Sequence, residues 1–454
     1  MTNYQKHMTK KRALMHAALR TLLALASVTA CLSSGYGQDL RRSGFLGVVA
    51  VPIPESVRRP NETGIMVQAL ADGGSAKAAG ILANDIIVQV NEHQIIDVND
   101  FVQTARTLRA GDVAIVHLRR GDSPKTIEVP VKPRPKESAP DVDVFYQAIS
   151  VDNSLRRVIV TAPKDAGRHP AVLYLNGVGC FSQESLDLSS PDAKLLYGLT
   201  RAGFVTMRVE KSGMGDSQGP PCASPQVDLQ AEVRSYLAGL RALKQASFVD
   251  PTKVFIVGLS LGGVEAPLVA QQEAVKGLVV INTVAKPLFE YLLDTLRRQA
   301  LLRHTPYDEV DRDMQLTERC NHKLLIEVQT PEQVLKEMPQ CQGHTSYPAP
   351  YTLMQQWAAL NLAEQWKRVD APVLIAYGTS DYISSIADDQ YLADLINSFH
   401  SGRATVKAIA GMDHYLTKAA TMEESISRKP GTRVEFEPTV LEAIKAWLNE
   451  SMSR

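Results

Sequence analysis

Cysteine is scarce in this chain: there are five among 454 residues, none in a CxxC pair. That excludes a disulfide-built scaffold and argues against a zinc or thioredoxin-like site. Net charge is absent as well. The 49 Lys+Arg balance 49 Asp+Glu, for a formal net charge of +0 and a pI near 7.1, so no global basic field exists to hold nucleic acid. None of the histidines forms HxxxH and no GxGxxG phosphate loop occurs, so neither a metal nor a cofactor is expected. Long apolar runs are missing too. The one near the N-terminus, Leu22 to Ala30, is far shorter than the ~20 residues that a bilayer-spanning helix needs. What remains is ordinary globular composition, 44% hydrophobic and 22% charged, in a chain too long for one domain of about 100 to 200 residues.

Lys6, Lys10, Lys11 and Arg12 precede a mostly apolar stretch from Ala13 to Cys31, the layout of a bacterial secretory signal over residues 1–38. The stretch ends Val28-Thr29-Ala30-Cys31, which is similar to a lipobox. Either Cys31 becomes the lipid-bearing first residue of the mature chain, or cleavage near Gly37 discards it. The expected location is the periplasm, with membrane contact only through such a lipid. In that oxidising compartment Cys180, Cys222, Cys320 and Cys341 tend to pair, and four cysteines allow three connectivities.

Residues 42–133 carry short apolar runs with turn punctuation: Phe45 to Val51, Gly64 to Leu70, Asp85 to Val90, Asp112 to Leu118 and Thr126 to Val131. They predict strands of a compact β-rich domain, interrupted by helical patches at Gly74 to Ala79 and Val98 to Leu108. Gly44-Phe45-Leu46-Gly47-Val48, then Gly74 to Ile81, Asn84 to Asn91 and Gly111-Asp112 together resemble a PDZ domain of the bacterial protease-associated type. The resemblance implies a groove in which backbone N–H groups around Phe45, Leu46 and Gly47 receive the C-terminal carboxylate of a peptide or protein partner. A second reading is that the groove only packs domains together. Lys132 to Pro140 carries three prolines, at 133, 135 and 140, and residues 134–141 are predicted to be a semi-rigid linker.

From Val142 to the C-terminus, strand-length apolar runs alternate with longer amphipathic stretches. The strands are expected at Val158 to Ala162, Ala171 to Asn176, Phe204 to Val209, Lys253 to Gly258, Gly277 to Ile281, Pro372 to Gly378 and Ala404 to Ala410. Such alternation predicts an α/β unit with a mainly parallel sheet. Gly258-Leu259-Ser260-Leu261-Gly262 joins one strand directly to a helix-compatible run, the context of a nucleophile elbow. Together with Val249-Asp250-Pro251, Arg201-Ala202-Gly203-Phe204 and Lys211 to Ser217, this resembles the α/β-hydrolase superfamily, in its dienelactone-hydrolase and prolyl-oligopeptidase branch.

That resemblance implies an order of serine, acid and histidine along the chain. Ser260 is the expected nucleophile, Asp381 the acid after the Pro372 strand, and His414 the base after the Ala404 strand. His400 precedes its strand, Asp388 and Asp389 fall in a predicted helix, and Asp413 reads as a loop residue. The expected oxyanion donors are the N–H of Leu261 and that of Val178, with Gly177 as the alternative. The family usually opens its oxyanion loop with His-Gly where this chain has Asn176-Gly177. Residues 282–371 are too many for a simple crossover, which is commonly a dozen or so. Predicted helices at Pro287 to Arg303, Pro331 to Met338 and Leu353 to Lys367 make a cap at about 285–368. Phe289, Tyr291, Leu292, Leu353 and Trp357 line an acyl pocket or form the cap's own core. The fold also brings Cys180 and Cys222 to one edge, so the expected bridges are Cys180 with Cys222 and Cys320 with Cys341.

These residues lead to an exported serine hydrolase acting on carboxylic esters of a small acyl substrate. A peptidase of the same fold and a catalytically silent scaffold are the alternatives.

Overall fold

The computed structural model describes residues 40–184, 187–429 and 431–453. The expected export signal and Cys31 lie outside them. Two sheets organise the chain. In the first unit β1 (Val48–Pro52), β2 (Ile65–Leu70), β3 (Ile86–Val90), β5 (Val113–Arg120) and β6 (Ser123–Pro130) pair in the order 1-2-3-5-6, while a short β4 (His93–Gln94) pairs with β3. Helix Val98–Thr107 is started by the Asp97 side chain, which accepts from Asp100 N–H. Its Phe101 is buried with Ile65, Val67, Ile87 and Val116.

The second unit holds β7 (Val142–Val151), β8 (Ser154–Pro163), β9 (His169–Leu175), β10 (Val205–Val209), β11 (Val249–Leu259), β12 (Gly277–Ile281), β13 (Val373–Gly378) and β14 (Ala404–Ile409). They form one sheet in the order 14-13-12-11-9-10-8-7. Strands β9 to β14 pair in parallel, whereas β8 and β7 close the edge antiparallel. The central strands are nearly continuous apolar runs because helices cover both faces. Val254 and Ile256 of β11 point to one core with Leu173, Leu278 and Ile375. Phe255 and Val257 point to the other with Val172, Val279 and Leu374. Helices Leu229–Gln245, Leu261–Ala270 and Ile386–Phe399 cover the first face. Helices Pro191–Arg201 and Pro438–Ser453 cover the second, the latter through Val440, Ile444 and Leu448 at four-residue spacing.

Between β12 and β13 the cap comprises helices Leu288–Leu302, Tyr307–Asn321, Pro331–Glu337, Tyr351–Ala358 and Leu362–Trp366. The sequence pattern misses Tyr307–Asn321, a charged helix that buries a narrow stripe of Val310, Met314, Thr317, Cys320 and Asn321. It also runs the last two helices together. They separate at Asn361, whose side chain accepts from Glu364 N–H and starts a new helix. Strand β7 is missed for a different reason: it lies at the sheet edge and is largely half-exposed, so it carries no apolar run.

Both expected disulfides are present. Cys320–Cys341 staples the cap across 21 residues and Cys180–Cys222 joins the loops after β9 and β10 across 42. In the chain-entropy view loops of these lengths contribute about 3 to 4 kcal/mol each.

The linker is not an open spacer. Glu137 is buried against Arg208 of β10 at 2.9 Å and accepts from Tyr197 OH at 2.8 Å. The start of the small domain is equally fixed. Asp216 receives Arg42 (2.7 Å), Ser43 N–H (2.7 Å) and Arg157 (2.9 Å), while Glu184 pairs with Arg42 and Arg134. Sequence composition registers the prolines of this segment but not the buried carboxylate that docks it.

Candidate active site

Strand β11 runs into helix Leu261–Ala270 without a loop, and the turn is made by Ser260 at φ 55, ψ −117. Positive φ is costly for a residue with a side chain, so the neighbourhood has to hold it there. Ser260 N–H donates to Ile281 O (2.9 Å), and Ser260 O accepts from Gly263 N–H (2.9 Å) and Thr283 Oγ1 (2.8 Å). The flanking glycines permit this close packing. A methyl group on Gly258 would meet Gly262 O at 2.4 Å, and one on Gly262 would meet Leu175 O at 2.1 Å.

Asp381 stands three residues beyond β13 and is fully buried. Its Oδ1 accepts from Ile383 N–H (2.6 Å) and Ser384 N–H (3.1 Å), and its Oδ2 accepts from Ser384 Oγ (2.5 Å). The same Oδ2 takes a hydrogen bond from His414 Nδ1 at 2.8 Å. A carboxylate acceptor there assigns the proton to Nδ1, which leaves Nε2 able to accept. His414 lies on the loop after β14 and is itself buried. Asp413 shapes that loop by accepting from Tyr415 N–H, Thr417 N–H, Thr417 Oγ1, Ser425 Oγ and Arg428.

Asn282 is a residue the sequence reading does not single out. It follows Ile281, the acceptor of Ser260 N–H, and its Nδ2 donates to Asp413 O (3.1 Å) and His414 O (3.2 Å). Its Oδ1 accepts from Gly378 N–H at 2.9 Å. One side chain thus ties the acid strand to the histidine loop, next to the Ile281 carbonyl that holds the serine turn. The only sequence signal for it is an asparagine directly after a wholly apolar strand.

Gly177 faces the serine: a methyl group there would stand 3.4 Å from Ser260 Cβ and 3.9 Å from Oγ. Its N–H is already engaged, donating to Asn176 Oδ1 at 2.7 Å, while Asn176 Nδ2 donates to Gln183. Asn176 therefore occupies the Gly177 N–H, the alternative donor of the sequence reading. Asp389, placed in helix Ile386–Phe399 as the spacing predicts, is fully buried. Burial, with Asp381 and Asp388 nearby, pushes its carboxyl well up.

Glu210, directly after β10, is fully buried and accepts from Ser182 Oγ (2.5 Å) and Gln183 N–H (2.9 Å) in the segment that follows the oxyanion loop. Burial pushes its carboxyl from 4.5 up to about 7. The fold therefore binds this proton more tightly than the unfolded chain does. Its contribution is full below pH 4.5 and is lost as pH rises through about 7, a loss of about 3 kcal/mol. Glu210→Gln should flatten the pH dependence of the urea midpoint between pH 5 and 8. An unaltered slope would remove Glu210 as its source.

The cap reaches this site through helix Leu288–Leu302. Thr295 Oγ1 (2.7 Å) and Arg298 (2.6 Å) donate to Ile383 O, beside Asp381. Tyr291 stacks on Trp357 with ring centroids 6.3 Å apart. Tyr291, Leu292, Leu353 and Trp357 are buried within the large core, while Phe289 packs at its margin.

A cavity of about 530 Å³ is lined by Leu46, Gly47, Phe101 and Val102 of the small domain and by Cys180, Phe181 and Gly213 of the α/β unit. Phe45 requires a correction. Its N–H donates to Lys132 O at 2.9 Å and so is not available to a carboxylate. Among the described residues no group of three or more His, Cys, Asp or Glu is arranged to hold a metal ion, and no helix is long and apolar enough to cross a membrane.

A serine forced to positive φ at a strand-to-helix turn, with a histidine–carboxylate pair at two neighbouring strand ends, defines an α/β-hydrolase. The chain belongs to the family described as serine aminopeptidase, S33, which matches residues 189–419; a PDZ domain matches residues 44–131. It is 25% identical over 253 residues to Esterase EstD of Thermotoga maritima. That match takes in 55% of each protein, so the chain spans about half the length of the curated relative it matches. Among solved structures it is similar to Est1E from Butyrivibrio proteoclasticus with ferulic acid bound, at 15% identity over 68% of this chain and 99% of that one, with a TM-score of 0.44. The alpha/beta hydrolase GrgF from Penicillium sp. sh18 aligns at 13% identity over 69% of this chain and 100% of its own, also with a TM-score of 0.44.

Proposed function

We propose that this protein is an exported serine hydrolase that cleaves carboxylic esters through an acyl-enzyme. The observation that carries the reading is the 2.8 Å hydrogen bond from His414 Nδ1 to Asp381 on loops tied to the Ser260 turn. Ser260 Oγ attacks the acyl carbonyl carbon while His414 Nε2 takes its proton, and Asp381 steadies the imidazolium. Val178 and Leu261 N–H donate to the oxyanion that forms. Collapse expels the alcohol, which leaves with the proton from His414. A water molecule then attacks the acyl group by the same route in reverse, releasing the acid and restoring Ser260.

Ester rather than peptide is favoured by the likeness to Esterase EstD. A peptidase is the second reading, supported by the family description, which names an aminopeptidase. A panel of p-nitrophenyl esters beside amino-acid and peptide anilides separates them. Esters should be turned over at least tenfold faster by kcat/KM, and the reverse order would install the peptidase. Two disulfides and the absence of a membrane-crossing helix among the described residues are compatible with secretion. Periplasmic residence, with or without lipid on Cys31, is part of the proposal and is read by mass spectrometry of the mature N-terminus. The groove at Leu46 and Gly47 is proposed to recruit a peptide or protein partner by its C-terminus.

A further inference from the structure

Lys211, the second residue after β10, is almost fully buried. Its Nζ donates to Gly177 O at 3.1 Å and pairs with Glu232 at 3.1 Å. Glu265, fully buried on the helix that begins after Ser260, lies beside Glu232. Burial and the charge of Glu232 push the Glu265 carboxyl well up, and Glu232 is the carboxyl that pairs with Lys211. A cavity of about 170 Å³ lined by Lys211, Glu210, Glu232 and Tyr236 among others adjoins the pair.

The carbonyl of Gly177 and the N–H of Val178 belong to one peptide unit. No cis peptide is present in the described chain, and in a trans peptide these two groups point in opposite directions. An ammonium fixed on the Gly177 oxygen therefore turns Val178 N–H away from the buried lysine. It also draws electron density toward that oxygen, which makes the N–H a stronger donor. The Asn176 side chain holds the preceding N–H, so this loop is clamped from both sides while Gly177 stands against Ser260.

We propose that Lys211 is a positioning residue for the oxyanion hole, aiming and polarising the Gly177–Val178 peptide so that Val178 N–H meets the charge that develops on the substrate. This role rests on the reading of Ser260 as nucleophile. It adds a residue that never touches substrate and whose effect belongs to the transition state, so kcat depends on it more than KM does.

The test uses the full mature chain, p-nitrophenyl acetate, a fluorophosphonate label and a trifluoromethyl ketone inhibitor whose adduct carries an oxyanion. Lys211→Met should still be labelled at Ser260 and keep KM within about threefold, while kcat falls about 10 to 100-fold, below the full loss of an oxyanion donor. Affinity for the ketone should fall by the same factor as kcat/KM. Lys211→Arg, which keeps a cationic donor, should recover most of it. Should Lys211→Met fail to fold, Lys211→Gln is read in its place. Labelled variants with wild-type kcat, or a kcat loss without a matching loss of ketone affinity, overturn the positioning role alone. A folded wild-type chain that takes no label overturns the nucleophile reading, and the role of Lys211 with it.

Discussion

Ser260→Ala is expected to lower kcat on p-nitrophenyl esters by about 10⁶-fold, the scale seen when the nucleophile of a serine triad is removed. Binding should persist, because the oxyanion donors and the pocket are untouched. The folded state should be retained. Ser260 is held at φ 55, and the hydroxyl is not what holds it; the grip comes from the backbone bonds to Ile281 and Gly263. Fluorophosphonate labelling, present in the wild type, should vanish in the variant. Residual activity within a hundredfold of wild type would mean that another nucleophile does the work.

Asp381→Asn should cost about 10⁴-fold in kcat with little change in KM, because an amide at this position imposes the wrong histidine tautomer. The direction follows from the partners. Two backbone N–H groups, of Ile383 and Ser384, donate to Oδ1, so the asparagine oxygen is held there. The amide nitrogen then takes the place of Oδ2 and faces His414 Nδ1, where the carboxylate had accepted at 2.8 Å. Nδ1 becomes the acceptor, the proton moves to Nε2, and the imidazole loses the lone pair that would receive the serine proton. Thermal unfolding should shift far less than kcat does, since Ser384 Oγ can rotate to accept from the new amide. If the variant keeps more than a tenth of wild-type kcat, the acid lies elsewhere. Asp413, which accepts five hydrogen bonds around the histidine loop, would be the first to examine.

Legibility differed from feature to feature for physical reasons. The strand Val249–Leu259 and the turn at Ser260 could be read directly, since an apolar strand, a Gly-x-Ser-x-Gly turn and a helix follow one another within a few residues. Strand β7 and helix Tyr307–Asn321 escaped, the first as a half-exposed edge strand and the second as a charged helix with a narrow buried stripe. The disulfide pairs could be chosen from three only once the strand order of the fold was assumed. At the oxyanion loop, the chain's Asn176 in place of the usual histidine was visible as a departure. That its side chain occupies Gly177 N–H was not.

What the amino-acid sequence by itself determined is the alternation of strand and helix, the boundary between a β-rich and an α/β unit, and the order in which serine, acid and histidine occur. The first two are carried by periodicity and turn punctuation, and the third by the family resemblance that the Gly-x-Ser-x-Gly context supports. Only the tertiary structure decided which groups beyond the motifs meet at the site. Lys211 reaches Gly177 across 34 residues, Asn282 reaches His414 across 132, and Glu137 is buried against Arg208 across 71. Those partnerships depend on the strand order 14-13-12-11-9-10-8-7, which brings chain-distant loops to one edge of the sheet. The upward shifts of the Glu210, Glu265 and Asp389 carboxyls depend on it equally, because burial, which no local pattern encodes, is the first cause of each.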